Sequence, residues 1–174
     1  IGPPMLVITS GRSGSLATRH LILCVDLGGT NVRIALVDGA GQVLVRVIEP
    51  TAALEGPSSL VDRVARNALA MIDTGPFPKP AGVAAAVPGP IDVDGVMYHP
   101  PNLVGWGIVP FRKMLEDRLG MPVWVGNDAN VACLGVHTFG EGRGVDNLIY
   151  LTISTGVGGG VISGGQIVTG LRGM

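Results

Sequence analysis

The order of apolar and polar residues predicts an α/β protein that begins with a run of strands. Residues 21–26 and 32–38 are apolar runs on either side of a glycine turn, which predicts an antiparallel strand pair. Residues 42–49 alternate in polarity, and this pattern predicts a third strand. Apolar residues at helical spacing over 58–72, Leu69 among them, predict a helix with one buried face.

After this helix the pattern changes to short strands that alternate with helices. Residues 81–87 are all apolar, which is typical of a strand buried on both faces. Pro110 is expected to be the first residue of a helix that reaches residue 119. The other predicted elements are a hairpin around Asp94 and Gly95, a strand over 122–125, a helix over 129–139, and strands over 148–153 and 160–162 that flank a second glycine turn.

Together these elements predict a mixed five-stranded sheet with helices on both faces. In open α/β sheets, ligands bind beyond the carboxyl ends of the strands. Four loops follow predicted strands, namely the Asp26 turn, Pro88-Gly89, Asn127-Asp128 and Thr155-Gly156. We expect these loops to share one edge of the sheet, which is then the candidate ligand site.

Composition excludes several classes of partner. The chain has 174 residues, 47% of them apolar and 14% charged, and a net charge of −1, so a nucleic-acid surface is not expected. Residues 147–171 carry no charge, but their glycines, threonines and serines favour a hairpin over a membrane span. Cys24 and Cys133 have no metal-ligand spacing and are expected to be reduced and buried in a cytoplasmic protein.

The two ends of the chain are irregular. Residues 1–20 are rich in Gly, Pro and Ser and predict a disordered linker or a remnant of expression. The chain ends at Met174 without a closing strand or helix. We therefore expect residues 21–174 to be a folded fragment of a longer protein.

The turn Gly28-Gly29-Thr30-Asn31 is a candidate phosphate site. Glycines let backbone N–H groups approach an anion closely, and Asp26 at the end of the preceding strand is a suitable ligand for the Mg²⁺ of a nucleotide. An ordinary hairpin whose turn needs positive φ is the alternative, and the pattern leaves the two evenly matched. A Walker-type phosphate loop is absent from the sequence.

Three other segments carry candidate chemistry. Asp128, between a predicted strand and helix, is a candidate general base, although a helix cap is favoured from this motif alone. Thr155 and its glycines offer a second phosphate turn, and the alternative is a flexible hairpin. Asn102, in a proline-stiffened loop, presents a donor and an acceptor to a sugar hydroxyl, but a structural turn is favoured for this residue by itself.

The motifs occur in a recognisable order. They are Asp-Leu-Gly-Gly-Thr-Asn at 26–31, Pro-Gly-Pro at 88–90, Pro-Asn-Leu at 101–103, Asn-Asp-Ala-Asn at 127–130 and Ser-Thr-Gly-Val-Gly-Gly-Gly at 154–160. Over residues 21–174 the chain resembles the ROK family (repressors, open reading frames and sugar kinases). This family lies within the actin-like, ribonuclease-H-like ATPase superfamily.

The resemblance implies the N-terminal lobe of an ATP-dependent hexose kinase, a cytoplasmic enzyme of carbohydrate metabolism (glycolysis), with glucose, phosphorylated at its 6-hydroxyl, as the expected substrate. It implies that Asp128 is the catalytic base and that Asp26 serves the Mg²⁺. Gly126 stands where relatives often carry an acid. The implied phosphate-binding residues are Gly28, Gly29, Thr30, Asn31, Arg33, Thr155, Gly156, Gly158 and Gly159, and the implied sugar-binding residues are Gly89, Asn102, Asn127 and Asp128.

The resemblance also implies a C-terminal lobe that this chain lacks. Family kinases continue with a Gly-Glu-Ile-Gly-His-like segment, a structural zinc loop and the part that holds adenine, so Cys24 and Cys133 are not zinc ligands and the fragment by itself is expected to be inactive. The full-length protein is expected to form a homodimer, and the donor, ATP or polyphosphate, is left open. The alternatives are the sugar-sensing lobe of a ROK repressor and, less favoured, a non-sugar ATPase.

Overall fold

The computed structural model describes residues 7–8, 20–153 and 156–172. The elements in chain order are β1 Val7–Ile8, β2 Leu21–Leu27, β3 Asn31–Asp38, β4 Val43–Pro50, a one-turn 3-10 helix Ala53–Glu55, α1 Gly56–Thr74, β5 Gly82–Val87, β6 Met97–Tyr98, β7 Ile108–Val109, α2 Phe111–Leu119, β8 Val123–Asn127, α3 Asp128–Phe139, β9 Leu148–Ile153, β10 Val157–Ser163 and β11 Gln166–Ile167.

The main sheet has the strand order β1-β4-β3-β2-β5-β8. Strands β2, β3 and β4 pair antiparallel, whereas β2–β5 and β5–β8 pair parallel. The predicted mixed five-stranded sheet is therefore confirmed, and the short strand β1, inside the expected linker, extends it beside β4. Because β2, β5 and β8 run in the same direction, their carboxyl ends meet at one edge.

Helices α1 and α2 cover one face of this sheet. Leu23 and Val25 of β2 belong to the same buried cluster as Val64 of α1 and Phe111 of α2. The predicted apolar face of the first helix is rotated slightly, because Ala65, Ala68 and Met71 are buried while Leu69 is 39% exposed. Pro110 is the residue before α2 rather than its first helical residue.

Helix α3 approaches the opposite face, which confirms helices on both sides. Val131 and Leu134 of α3, with Cys24, Ala84 and Trp124, line an apolar groove of about 440 Å³. The prediction that residues 81–87 are buried on both faces is wrong, because Ala84 is exposed in this groove. Cys24 is only partly buried, and burial raises the pKa of its thiol.

Strands β9, β10 and β11 form a separate antiparallel sheet, and this corrects the expectation of one shared edge. One side of the separate sheet packs on α3, so the turn between β9 and β10 does not belong to the main sheet. Its outer side exposes Ile149, Leu151, Ile153 and Val157. In the part of the chain that the structure describes, no helix is long and apolar enough to cross a membrane.

Candidate functional site

In the turn between β2 and β3, neighbouring atoms lie too close to the backbone of two glycines for a Cβ to fit easily. This crowding, and not a special backbone conformation, favours glycine there. Neither Gly28 nor Gly29 has a positive φ, so the conformational requirement of the hairpin alternative does not apply to them. A Cβ on Gly28 would lie 3.0 Å from the Asn31 carbonyl oxygen, and one on Gly29 would lie 3.1 Å from Asn102 Cβ. The turn is therefore compact, and Gly29 and Thr30 are exposed.

Asp26 lies opposite Arg33 in the β2–β3 ladder, and the two side chains form an ion pair with an Nη1–Oδ2 distance of 2.8 Å. Both side chains are about half exposed, at 50% and 47%. An ion pair at such exposure is weak, typically below about 1 kcal/mol, so either partner is available to a ligand.

A divalent cation fits this place only together with a nucleotide. Mg²⁺ is usually held by one or two carboxylates plus substrate phosphates, and Asp26 offers one exposed carboxylate beside the glycine turn. Among the described residues, no group of three or more His, Cys, Asp or Glu side chains is arranged to hold a metal ion by itself. Asp26 thus suits a cation that arrives with phosphate oxygens.

Asn127, not Asp128, is the N-cap of α3. Its Oδ1 accepts from the backbone N–H groups of Ala129 at 3.0 Å and Asn130 at 3.2 Å. Its Nδ2 donates to the Gly89 carbonyl at 3.2 Å, which connects the β8 end to the β5 end. Asp128 is the first helical residue and is exposed, so the cap interpretation of Asp128 is wrong.

The proline loops complete this edge of the sheet. Gly89 has φ 83°, and a Cβ there would lie 3.1 Å from Pro100 Cα and Pro101 Cδ. The next residue, Asn102, is the one that contacts Gly29. The β2–β3 turn, the loops that hold Gly89 and Asn102, and the start of α3 therefore lie together, as the strand order predicts.

A cleft of about 330 Å³ lies between this edge and the separate sheet. Its volume is at the lower end of the range for small-molecule sites. Of the predicted sugar-binding residues, Gly89 and Asn127 line the cleft, whereas Asp128 and Asn102 do not. The lining residues are Gly89, Pro90, Ile91, Asn127, Asn130, Gly159 and Val168.

The second glycine turn is described only in part. Thr155, a predicted phosphate ligand, lies outside the described residues, whereas Gly156 is exposed. A Cβ on Gly158 would lie 3.3 Å from Ala129 Cβ, and Gly159 lines the cleft. Strand β10 therefore approaches the first turn of α3.

Thr51 is a residue of this region that the motifs do not include. It is completely buried, directly after β4, and it contacts two carbonyl groups of the β2–β3 turn. Trp106 is buried and donates its indole N–H to the Ala53 carbonyl at 2.9 Å. No pattern of residue types in the sequence marks Thr51, because its partners are backbone carbonyl groups.

Comparison with known proteins identifies relatives. The profile described as "ROK family" matches residues 22–174. A glucokinase of Thermotoga maritima is 37% identical over 154 residues, which cover 88% of this chain and 48% of that protein. An N-acetylmannosamine kinase of Shigella flexneri is 36% identical over 154 residues, which cover 88% of this chain and 51% of that one. The chain spans about half the length of these curated relatives.

Solved structures agree with the fold. A ROK family glucokinase from Streptomyces griseus, solved in complex with glucose and AMPPNP, superposes with a TM-score of 0.79 at 33% identity, over 88% of this chain and 48% of that one. This superposition confirms the actin-like lobe. A ROK family transcriptional regulator superposes with a TM-score of 0.76 over 88% of this chain and 39% of that one, and its 21% identity indicates likeness of fold alone.

Proposed function

The chain belongs to the ROK family, and from that premise we propose that the full-length protein is an ATP-dependent sugar kinase. The observation that carries the proposal is the exposed carboxylate of Asp128 at the start of α3, where Asn127 takes over the capping role. Its Oδ1 accepts from the Ala129 N–H at 2.8 Å, and the exposed carboxylate stays accessible to a ligand beside loops with glycines and amide side chains.

In the proposed reaction, Asp128 accepts the proton of a sugar hydroxyl whose oxygen attacks the γ-phosphorus of ATP, and ADP leaves. General-base catalysis of this kind contributes about 10²–10⁴-fold, and positioning and charge neutralisation supply the rest. The backbone N–H groups of the Gly28–Asn31 turn would bind phosphate oxygens. Mg²⁺, held by Asp26 and the nucleotide, would neutralise developing negative charge.

We propose a hexose as the acceptor, with glucose the first candidate. Asn102 carries both donor and acceptor atoms, as a polyhydroxylated ligand requires, and Asn127, whose Oδ1 caps α3, has one Nδ2 hydrogen besides the one donated to Gly89. The similar proteins include a glucokinase and an N-acetylmannosamine kinase, so the panel of test sugars must contain both classes. Gly156, Gly158 and Gly159, together with Thr155, are proposed as the opposite half of the phosphate site. Cytoplasmic location, a homodimer and a zinc loop outside this chain remain expectations.

The sugar-sensing lobe of a repressor is the second candidate, because the transcriptional regulator shares the fold. A sensor binds sugar without turnover, whereas a kinase releases ADP. The deciding experiment is a coupled ADP-release assay of the full-length protein with ATP, Mg²⁺ and a panel of hexoses and N-acetylated amino sugars, with the 174-residue chain assayed beside it. We expect sugar-dependent ADP release from the full-length protein only. Sugar binding without ADP release would favour the sensor.

Gly29→Ala is expected to lower kcat/KM of the full-length protein about tenfold. The new methyl group would lie 3.1 Å from Asn102 Cβ and 3.2 Å from the Asn102 carbonyl oxygen, so the phosphate turn and the Asn102 loop must separate. Displacements approaching 1 Å at such sites cost up to about 10²-fold. Steady-state kinetics with saturating ATP and varied sugar provide the measurement.

Gly39→Ala is the matched control for this substitution. Gly39 also lies in a hairpin turn of the main sheet, but a Cβ there would meet no atom within 4 Å. We expect its kcat/KM to equal that of the unchanged protein. If Gly29→Ala were equally active, the contact with Asn102 would have no part in catalysis.

A further inference from the structure

Thr51 is bonded to the back of the proposed phosphate turn. Its backbone N–H donates to the Thr30 carbonyl at 2.8 Å, and its hydroxyl donates to the Gly28 carbonyl at 2.6 Å. The side chain is 0% exposed, so water does not compete for these carbonyl groups. A buried hydroxyl that donates in this way orients its acceptor strongly.

These two bonds determine where the N–H groups of the turn point. In a planar trans peptide the C=O and N–H bonds are antiparallel, and the described chain contains no cis peptide. The N–H of Gly29 shares a peptide with the Gly28 carbonyl, and the N–H of Asn31 shares one with the Thr30 carbonyl. Because both carbonyl groups face Thr51, both N–H groups point away from it.

Thr51 is itself held from the other side by Arg63 of α1. The Arg63 guanidinium donates to the Thr51 carbonyl at 2.7 Å and to the Pro50 carbonyl at 3.1 Å. Arg63 also pairs with Glu55, and its Nε lies 3.7 Å from Glu49 Oε2. Only 18% of the Arg63 side chain is exposed, which weakens solvent screening of these contacts.

The backbone after Thr51 adopts a conformation that needs such support. Ala52 has φ 48° and ψ 52°, in the left-handed region that residues with a Cβ rarely occupy. Conformations of this kind persist where surrounding contacts over-determine them, and they cluster at functional sites. Here the contacts are those of Thr51 and the Trp106 indole bond to the Ala53 carbonyl.

We propose that Thr51 is a positioning residue for the nucleotide phosphates, a role that rests on the proposed kinase function. Its hydroxyl and amide fix the Gly28 and Thr30 carbonyl groups, and thereby aim the N–H groups of Gly29 and Asn31 at the phosphate oxygens. Thr51 touches neither substrate, so its loss acts on the nucleotide and not on the sugar.

The test uses the full-length protein with Thr51→Val and Thr51→Ser. Valine keeps the shape and removes the hydroxyl, whereas serine keeps the hydroxyl. We expect Thr51→Val to raise the Kd for AMP-PNP with Mg²⁺, measured by calorimetry, and the KM for ATP about tenfold, roughly the effect of one lost hydrogen bond. The KM for sugar should stay within about twofold, and serine should restore both nucleotide constants.

Thr74→Val is the matched control. Thr74, at the end of α1, also donates its hydroxyl to a backbone carbonyl, that of Ala70 at 2.7 Å, but it has no contact with the turn. We expect unchanged nucleotide constants. Equal losses in the serine and valine variants, or parallel rises in both KM values, would overturn the positioning role.

Hydrogen exchange supplies a readout that does not depend on the variants folding. In the unchanged protein, AMP-PNP with Mg²⁺ should slow exchange of the Gly29 and Asn31 amides, and unchanged exchange with bound nucleotide would overturn the inference. AMP-PNP binding without turnover of any sugar would overturn the kinase proposal only. Absence of AMP-PNP binding would overturn both.

Discussion

Asp128→Asn in the full-length protein is expected to lower kcat about 10²–10⁴-fold, with little change in affinity for AMP-PNP or sugar. The amide keeps the size of the carboxylate and can still accept from the Ala129 N–H, as Asp128 Oδ1 does at 2.8 Å. It cannot take up the proton of a substrate hydroxyl. The measurements are single-turnover and steady-state ADP release with equilibrium binding of both ligands.

Asp117→Asn is the control for charge. Asp117 is an exposed helical carboxylate on α2, paired with Lys113 at 2.9 Å, and has no contact with the candidate site. We expect full activity from this variant. Retention of more than about a tenth of the turnover by Asp128→Asn would contradict its assignment as the base, because the loss would fall below the usual range.

Because Asn127 caps α3 and Asp128 is the proposed base, substitutions at these two neighbouring residues should affect different properties, stability at Asn127 and turnover at Asp128. Asn127→Ala removes the acceptor of two backbone N–H groups and a bond to Gly89, so it should lower the free energy of unfolding by about 1–2 kcal/mol. Asp128→Ala removes one exposed acceptor of the Ala129 N–H, which Asn127 Oδ1 still accepts, so it should cost less, about 0.5 kcal/mol. The urea dependence of unfolding measures both, and equal costs would mean that the two residues share the cap.

The elements with strong local patterns were predictable from the sequence. The β2–β3 hairpin, helix α1 and the order of β5, α2, β8 and α3 follow from apolar runs and helical spacing. Because the strand order places the ends of β2, β5 and β8 together, the meeting of their loops was predictable as well.

Contacts between elements that are distant in the sequence could not be predicted from these local patterns. Residues 81–87 are apolar, but alanines pack equally well against a helix or beside an open groove, and only the position of α3 leaves Ala84 exposed. The hairpin of β9 and β10 pairs within itself, so its sequence contains no signal for which sheet it joins. Thr51 belongs to no motif because its partners are carbonyl groups, which every residue offers.

The choice between Asn127 and Asp128 as the helix cap was similarly undetermined, because both residue types cap well. The structure decides it through the last residue of β8. Asn127 has φ −61° and ψ 139°, the extended conformation of an N-cap, while Asp128 already belongs to the helix. The base assignment therefore depends on where β8 ends: if α3 began one residue later, Asp128 would be the cap, and the Asn127 amide could not replace it as a base.

Gly160→Ala is expected to destabilise the protein by about 2 kcal/mol, within the range for overpacking of a tight contact. The added methyl group would lie 2.6 Å from Cys133 Cβ and 3.1 Å from the Ala129 carbonyl oxygen. Neither atom can rotate away, since one is a Cβ and the other belongs to the helix backbone. Strand β10 must therefore move off α3.

Gly135→Ala, on the same helix, is the matched control and is expected to act in the opposite direction. A Cβ at this position meets no atom within 4 Å, and alanine is favoured over glycine in a helix by about 0.5–1 kcal/mol. Urea denaturation of both full-length variants measures the difference. Equal stabilities would contradict the close contact between β10 and α3 at Gly160. If Gly160→Ala is also inactive as a kinase at temperatures where it remains folded, the spacing between Gly158, Gly159 and the start of α3 is required for catalysis as well as for stability.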